Sequence, residues 1–544
     1  MAPVRLLVLF TVALTSALVD THQTSTSDAN HPTAQTQTNG PARQPNIVFV
    51  LADDLGYNDV GWHNPWIQTP HLDKLAVTGV RLENYYVQPI CTPTRSQLLS
   101  GRYQISGECY CVQPICTPTR SQLLSGRYQI HTGLQHGIIW WAQANALPRQ
   151  TPTIADVLRT SGYRTHMVGK WHLGFYKPEY MPINRGFDSY FGFLTGSEDH
   201  LTHITCYKKW CGYDLRDGLD PATNMEGNYS TTMYTQKAVD LINNHDASKP
   251  LFLYLAYQAT HEPLQVPDSY LQQYPDIEDS NRRVFAGMAT CLDEGVRNVT
   301  TALQNKGMWD NTVVIFSADN GGQVYFSGNN WPLRGWKGSL WEGGMRASGF
   351  VHSPLLPTHV QGTKTRELMH VTDWFPTMQT LAGSHPLAGL DGFDQWNTIS
   401  KGAQSPRKEL LHNIDPLAEP KGQQLYNDTF DTRVQAAIRV GDYKLLTGDP
   451  GNGSWVAAPE SGWPDRVPNE AGGKNVWLFN VRTDPSEWHD LSDQRPDIVR
   501  QLLDRLNYYN STAEPCRYPS DDPRADPQLH GGFWGPWETD ATLV

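Results

Sequence analysis

The chain has few cysteines and no long apolar or basic segment, and each shortage excludes a class of protein. Eight cysteines in 544 residues are too few for a fold held together mainly by disulfides. Beyond the N-terminus, no apolar run reaches the roughly 18 residues that a membrane-spanning helix requires. No long run of basic residues is present, and the formal net charge of −12 argues against a nucleic-acid-binding protein. The 18 Trp, 24 Tyr and 16 Phe instead predict a globular protein with a large core.

The N-terminus has the pattern of an export signal. Arg5 precedes the short apolar run 6–14, and small residues follow it, as in a secretory signal peptide covering residues 1–17. A membrane anchor is the alternative, but the run is short for one. Residues 18–45 are predicted to be a flexible linker, since 21–45 contain no large aliphatic or aromatic residue. We expect a glycoprotein of the secretory pathway, either lysosomal or secreted. Five glycosylation sequons support this expectation, at Asn228, Asn298, Asn427, Asn452 and Asn510.

Four short segments have the continuous apolar pattern of strands that are buried on both faces. Helical patterns lie between them, for example at 153–160 and 282–303. Strands that alternate with helices are typical of an α/β domain. The four segments are Asn46–Ala52, Tyr163–Val168, Leu251–Tyr257 and Thr312–Phe316.

Polar residues follow each of these four strands directly. Ligands of open α/β sheets bind beyond the carboxyl ends of the strands, so these residues are expected to meet in one site. Carboxylate and amide oxygens favour Ca²⁺ or Mg²⁺ over zinc. Turn or cap roles are the alternative for any single pair. The candidate metal ligands are Asp53, Asp54, Asp319 and Asn320. The residues expected to surround an anionic substrate are Lys170, His172, His261 and Lys337.

The segment Cys91-Thr-Pro-Thr-Arg95, followed by Gly101-Arg102, is the most informative part of the sequence. Taken alone, Cys91 is either a thiolate nucleophile ahead of a helix or a buried structural cysteine. Together with a second motif at 162–172, the segment resembles the signatures of the sulfatase family. Within that family, the resemblance is greatest to arylsulfatase B (N-acetylgalactosamine-4-sulfatase) and its near relatives. It covers nearly everything from Pro45 to the C-terminus.

The resemblance implies an alkaline-phosphatase-like α/β fold with a large mixed sheet flanked by helices. It also implies a smaller C-terminal antiparallel sheet with a packed helix. We therefore expect a catalytic domain at 46–408 and a C-terminal subdomain at 409–544. The residues of this subdomain agree, because 436–446 and 476–480 have strand patterns and 497–508 has an amphipathic helix pattern.

The resemblance also implies the chemistry. The signature cysteine would be converted to formylglycine by the formylglycine-generating enzyme. One Ca²⁺ would bind Asp53, Asp54, Asp319, Asn320 and the formylglycine at Cys91. The reaction would remove sulfate from a sulfated glycan, expected to be N-acetylgalactosamine 4-sulfate of dermatan or chondroitin sulfate. A phosphohydrolase of the same fold is the competing class, but it would have Ser or Thr as the nucleophile and His among its metal ligands.

The resemblance assigns a role to each remaining polar residue of the cluster. Arg95 would hold the hydrated aldehyde, and Lys170 would support it. His172 would accept the proton that accompanies sulfate release. His261 and Lys337 would bind the sulfate and help to protonate the leaving oxygen.

A duplication departs from the family pattern. Residues 87–105 and 112–130 are identical, so Cys116 and Arg120 repeat Cys91 and Arg95. Removing 87–111 or 106–130 leaves the same sequence, so pattern alone does not identify the catalytic copy. The first copy is preferred, because it keeps the approach strand, the nucleophile and the helix contiguous. A duplicated exon, a gene-model error, and a non-catalytic binding protein disabled by the repeat are the alternatives.

The cysteines outside the duplicated segment have separate predictions. Cys206 and Cys211 are close enough in sequence to form a disulfide that closes a loop. Cys291 lies in a helical pattern and is expected to be a buried thiol. Cys516 is expected to be either free or paired with Cys109 or Cys111.

Overall fold

A computed structural model describes residues 43–88, 117–463, 467 and 473–538. The predicted signal peptide and residues 18–42 of the predicted linker lie outside the described residues. No helix among the described residues is both long enough and apolar enough to cross a membrane.

Ten strands of the described chain form one mixed sheet. From one edge to the other, their order is β13-β2-β12-β11-β1-β10-β4-β5-β8-β9. These strands are β1 (Asn46–Ala52), β2 (Val80–Leu82), β4 (Arg164–Gly169), β5 (Ser189–Phe193), β8 (Leu215–Asp217), β9 (Asp220–Pro221), β10 (Leu251–Ala256), β11 (Thr312–Ala318), β12 (Gly349–His352) and β13 (Thr363–Thr365). The described residues also form a parallel pair of β3 (Tyr85–Tyr86) with β14 (Met369–His370), and an antiparallel hairpin of β6 (Ile204–Tyr207) with β7 (Trp210–Tyr213).

The helices of the described chain lie between and beyond these strands. Their bounds are α1 (Pro70–Thr78), α2 (Thr117–Ser125), α3 (Ile154–Thr160), α4 (Ser230–Asn244), α5 (Asp268–Leu271), α6 (Ser280–Asn305), α7 (Glu342–Met345), α8 (Trp374–Leu381), α9 (Trp396–Lys401) and α10 (Pro496–Ser511). The helical patterns at 153–160, 282–303 and 497–508 correspond to α3, α6 and α10. The expected α/β class with a large mixed sheet flanked by helices is therefore confirmed.

The centre of the sheet is the parallel group β11-β1-β10-β4. All seven residues of β1 are buried, as its continuous apolar sequence predicts for a strand covered on both faces. Each fully buried Val, Leu, Ile or Phe side chain there stabilises the fold by about 1.5–3 kcal/mol. Because these four strands run in the same direction, the residues that follow them emerge at one edge of the sheet.

The four predicted strands are present, and their ends differ by at most two residues from the sequence pattern. β11 continues to Ala318, since Ser317 and Ala318 pair with Leu51 and Ala52 of β1. β4 ends at Gly169, which has φ +100. A Cβ at Gly169 would lie 2.0 Å from the carbonyl oxygen of Ala256, so this strand end requires glycine.

The C-terminal region forms an antiparallel sheet against α10. Its strands are β15 (Glu409–Asp415), β16 (Gln435–Val440), β17 (Tyr443–Thr447) and β18 (Val476–Asn480). One face of α10 is buried against this sheet through Ile498, Leu502, Leu503 and Leu506. The sequence pattern predicted a single strand over 436–446. The structure instead has two strands, because Gly441, with φ +56, and Asp442 reverse the chain between them.

Candidate active site

The polar residues that follow β1, β4, β10 and β11 meet in one buried cluster. Lys170 Nζ lies 2.5 Å from Asp53 Oδ2, and Lys337 Nζ lies 2.5 Å from Asp54 Oδ2. Asn320 Nδ2 donates to Asp54 Oδ1 over 2.7 Å. His261 Nε2 lies 3.8 Å from Asp54 Oδ2. The convergence expected from the parallel topology is therefore present in the structure.

Arg120 lies between two of the carboxylates. Its Nη2 is 3.2 Å from Asp53 Oδ2 and 3.3 Å from Asp319 Oδ2, and all three side chains have no exposed surface. Its Nη1 donates to the carbonyl oxygen of Lys170 over 2.9 Å. Arg120 thus links the residues that follow β1, β11 and β4.

Helix α2 positions this arginine. All nine of its residues are buried, so the helix has no solvent-facing side. The Thr117 hydroxyl donates to the carbonyl oxygen of His172 over 3.1 Å, and the Thr119 hydroxyl donates to that of Asp319 over 2.6 Å. Two threonines of the signature therefore fix the helix to the strand ends that carry the other polar residues.

The two copies of the duplicated segment both contribute to this region. Val87 and Gln88 of the first copy are buried here, and Gln88 N donates to the Thr119 hydroxyl of the second copy over 2.9 Å. Gln129 Nε2, also of the second copy, donates to Gln88 Oε1 over 2.7 Å. The described structure thus joins the start of copy one to the body of copy two.

This arrangement differs from the preference stated from sequence. That preference put Arg95 against the carboxylates, and the structure has Arg120 there. Cys91, Arg95 and Cys116 lie outside the described residues. The preference for the first copy treated each copy as one complete unit. In the structure, Gln88 of the first copy instead contacts α2 of the second copy.

Burial and charge set the ionisation of the carboxylates. Burial alone would raise the pKa of Asp53, but Lys170, followed by His261 and Arg120, holds it well below its ordinary value. The pKa of Asp319 is raised to about 7 by burial and by the adjacent Asp53. Burial also raises the pKa of Asp54, with Lys337 opposing the rise. A divalent cation would relieve this crowding of negative charge.

The donor set fits such a cation. Ligand atoms of Asp53, Asp54 and His261 lie within 4.8 Å of one another, and all three residues are buried. Asp319 adds a carboxylate beside them, since its Oδ1 accepts from the Asp54 N–H, and Asn320 lies next to Asp54, to which it donates its Nδ2. Oxygen-rich sites of this kind suit hard cations such as Ca²⁺ or Mg²⁺. His261, which the resemblance assigned to sulfate binding, is an additional candidate ligand.

Two imidazole nitrogens of this cluster are buried without a hydrogen-bond partner among the described residues. They are His172 Nδ1 and His261 Nε2. Burial lowers the pKa of His172 well below its ordinary value, and Lys170 and Arg120 lower it further. Burial lowers that of His261 similarly, with Lys337 adding to the effect. Buried polar atoms are nearly always satisfied, so these two nitrogens indicate a place for a ligand.

Two residues of the cluster have backbone conformations that are uncommon outside glycine. Asp54 has φ +58 and His172 has φ +55. Such conformations persist only where the surroundings impose them, and they concentrate at functional sites. The fold therefore holds Asp54 and His172 in strained backbone conformations, which direct their side chains into the cluster.

Glu262 is a site residue to which the sequence analysis gave no role. Its Oε2 lies 3.4 Å from His261 Nδ1, and burial raises its pKa to about 8. The sequence signal that could have identified Glu262 is its position directly after His261, beyond the end of the buried strand β10. The backbone carbonyl oxygen of Glu262 lies 2.8 Å from the same Nδ1, and this hydrogen bond orients the ring and selects its tautomer.

The ion pairs of Arg120 lead to a stability prediction that has an internal control. Arg120→Ala leaves two buried carboxylates without this cation, so we expect the free energy of unfolding to fall by about 3–5 kcal/mol. Chemical denaturation in the presence of EDTA measures this without contribution from a bound metal. Arg95→Ala, in the other copy, is the matched control and should leave the unfolding midpoint unchanged. Equal losses in both variants would contradict the assignment of Arg120.

Comparison with known proteins agrees with this geometry. The family model described as Sulfatase matches residues 45–115 and 108–384. The two matches divide within the duplicated segment, and each contains one copy of the Cys-Thr-Pro-Thr-Arg motif. The duplication is therefore a departure from the family pattern.

Similar proteins cover most of the chain. Arylsulfatase J of Mus musculus is 50% identical over 91% of this chain and 80% of its own length. Arylsulfatase A of Homo sapiens is 32% identical over 74% of this chain and 75% of its own length. The crystal structure of Ps i-CgsB in complex with k-i-k-neocarrahexaose has a TM-score of 0.70 and 26% identity, and covers 90% of this chain and 98% of its own. With its buried Asp-Asp-His group and signature helix, the chain belongs to the sulfatase family and is a sulfuric ester hydrolase of the arylsulfatase type.

Proposed function

We propose that the protein removes sulfate from N-acetylgalactosamine 4-sulfate in dermatan or chondroitin sulfate, using a formylglycine and one Ca²⁺. The observation that supports hydrolysis of a sulfate ester is a group of buried cations near two imidazole nitrogens that have no hydrogen-bond partner among the described residues. The cations are Arg120, Lys170 and Lys337, and the nitrogens are His172 Nδ1 and His261 Nε2. The choice of sugar rests on the resemblance to arylsulfatase B in the sequence motifs, whereas the relative that is 50% identical is arylsulfatase J of Mus musculus. A relative named N-acetylgalactosamine-6-sulfatase, from Mus musculus, is 30% identical over 70% of this chain and 70% of its own length.

The proposed metal ligands are Asp53, Asp54, Asp319 and Asn320, together with the modified cysteine. A bound Ca²⁺ supplies a Lewis acid that polarises a sulfate oxygen. Three of these side chains are buried carboxylates, and each accepts a hydrogen bond: Asp53 from Lys170, Asp54 from Asn320, and Asp319 from the Asp54 N–H. Their orientations are therefore fixed before the metal binds. His261 is the remaining neighbour that can enter this coordination shell.

Cys116 is proposed as the residue that becomes formylglycine, in place of Cys91. It directly precedes Thr117, the first residue of α2, and Arg120 follows it at the spacing of the Cys-x-Pro-x-Arg motif. Thr117 and Thr119 anchor that helix to the residues after β4 and β11. A hydrated aldehyde offers one hydroxyl to attack sulfur and a second whose deprotonation later expels sulfate.

The surrounding side chains have complementary proposed tasks. Arg120 and Lys170 hold the nucleophile, since both lie against Asp53. His172, with its unpartnered Nδ1, accepts the proton that accompanies sulfate release. Lys337 and His261 lie on the Asp54 side of the cluster and stabilise the negative charge of sulfate and of the leaving oxygen.

The sugar specificity is testable with two isomeric substrates. We expect kcat/KM to be at least about tenfold higher for 4-sulfated than for 6-sulfated N-acetylgalactosamine, a difference of about 1.4 kcal/mol in transition-state binding. The enzyme should be produced with the formylglycine-generating enzyme, and p-nitrocatechol sulfate turnover should be measured in parallel to confirm that it is active. A preference for the 6-sulfated isomer by active enzyme would contradict the proposed sugar.

Two further expectations accompany this function. The domain boundaries 1–17, 18–45, 46–408 and 409–544 are proposed from sequence, and β15 begins at Glu409. Passage through the secretory pathway to the lysosome or the exterior is proposed from the N-terminal pattern and the sequons.

The alternative of a non-catalytic binding protein requires the duplication to displace the site. The described positions Arg120, Lys170, His172, His261 and Lys337 are instead gathered around the carboxylates.

A further inference from the structure

The hairpin β6–β7 lies beside His172 and is held by a disulfide. Cys206 and Cys211 pair across the two strands, which confirms the disulfide predicted from their spacing. The ring of Tyr207 stacks on that of Trp141 with centroids 5.3 Å apart, and the ring of Trp141 lies 6.4 Å from that of His172. Two ring contacts therefore connect the hairpin to a proposed catalytic residue.

The turn of this hairpin consists of two lysines. Lys208 has φ +55, a conformation that favours glycine or asparagine at a two-residue turn. Its ammonium group pairs with Asp521. Lys209 is exposed and forms no ion pair with a residue of the described chain, and its Nζ lies 5.9 Å from the ring centroid of Trp210.

Trp140 adds an aromatic surface between the hairpin and the site. Its ring is partly exposed and stacks on Tyr207 with centroids 5.5 Å apart. Its Nε1 donates to the Tyr518 hydroxyl over 2.5 Å, which fixes the ring. The preceding residue, Ile139, has its carbonyl oxygen 3.3 Å from His172 Nε2. Trp140 is thus held one residue away from a direct contact with His172.

We propose that Trp140 and Lys209 form a subsite for an extended anionic glycan. The face of Trp140 would pack against a sugar ring next to the scissile sulfate, since aromatic faces combine apolar area with fixed orientation. Lys209 would bind a second negative group, a sulfate or a carboxylate, on a neighbouring sugar. The inference rests on the proposed function and adds to it that the preferred substrate carries more than one negative charge.

The test compares a 4-sulfated chondroitin oligosaccharide with p-nitrocatechol sulfate, which carries no neighbouring sugar. For Lys209→Ala, the ratio of kcat/KM for oligosaccharide over aryl sulfate should fall about fivefold, through a higher KM for the oligosaccharide. Lys209→Arg should restore most of the ratio. Lys401→Ala, an exposed lysine at the end of α9, is the control and should leave the ratio unchanged.

Two additional readouts make the test specific. Trp140→Ala should lower the same ratio about tenfold, since an aromatic contact contributes about 0.5–1.5 kcal/mol beyond its buried area. Salt from 50 to 500 mM should lower the ratio in the parent chain more than in Lys209→Ala, because screening removes the charge contribution. Equal ratios in Lys209→Ala, Lys401→Ala and the parent would overturn the subsite and leave the proposed function intact. Aryl sulfate turnover without oligosaccharide turnover by the parent would overturn both.

Discussion

Asp319→Asn is expected to lower kcat/KM for an aryl sulfate by about 1000-fold. The substitution preserves the shape of the side chain and removes one of three buried carboxylates around the proposed metal position. Arg120 and Lys170 remain near it, and without the carboxylate their positive charges oppose the binding of a divalent cation. Loss of the cation removes the polarisation of the sulfate oxygen, so chemistry is affected more than substrate binding.

Metal content separates this explanation from simple misfolding. After dialysis against a low calcium concentration, the parent chain should retain one Ca²⁺ per molecule and Asp319→Asn should retain none. Asp493→Asn is the control, because the Asp493 side chain is 94% exposed and its ion pair is with Lys474, which does not belong to the cluster. Full turnover by Asp319→Asn, or stoichiometric calcium with full loss of turnover, would contradict the assigned role of Asp319 as a ligand.

Much of the fold and the meeting point of the site were predictable from local patterns. Continuous apolar runs such as Asn46–Ala52 predict central parallel strands, because covering both faces of a sheet removes the alternation. Once the strands are parallel, the residues after them must share one edge of the sheet. The meeting of Asp53 with Lys170 follows from that topology, because each residue directly follows its strand. The pairing of Asp54 with Lys337 does not follow from it, because Lys337 lies in a loop well beyond the end of β11.

Two features were not predicted, for different reasons. The pattern over 436–446 was interpreted as one strand although Gly441-Asp442 is a local signal for a two-residue hairpin turn, and the pairing of β16 with β17 shows that hairpin. The two copies of the signature are identical over 19 residues, so no local property distinguishes Arg95 from Arg120. The contact of Gln88 with Thr119 supports the proposal of the second copy, and it is a tertiary contact between residues 31 positions apart in the chain.

Cys116→Ala is expected to abolish sulfatase activity, with a loss of at least about 1000-fold in kcat. Alanine at this position offers neither the aldehyde nor a thiol. Cys91→Ala should keep at least half of the parent activity, because the described contacts of α2 use the second copy. Deletion of 87–111 leaves a chain with a single signature and should also be active, which controls for any effect of the extra length.

Mass spectrometry supplies the control for modification. Trypsin releases the two cysteines in different peptides, Leu82–Arg95 and Tyr103–Arg120, which differ in sequence upstream of the motif. Formylglycine in the second peptide of the Cys91→Ala enzyme would verify that Cys116 is modified. The resemblance to sulfatases implies that the conversion precedes folding, so formylglycine in the first peptide of Cys116→Ala is compatible with an inactive enzyme.

Turnover of p-nitrocatechol sulfate by Cys91→Ala and Cys116→Ala, each produced with the formylglycine-generating enzyme, tests the assignment of the second copy most directly. We predict near-parent turnover for Cys91→Ala and none above background for Cys116→Ala. The opposite result, an active Cys116→Ala beside an inactive Cys91→Ala, would show that the first copy supplies the nucleophile and that Arg95 belongs in the place of Arg120.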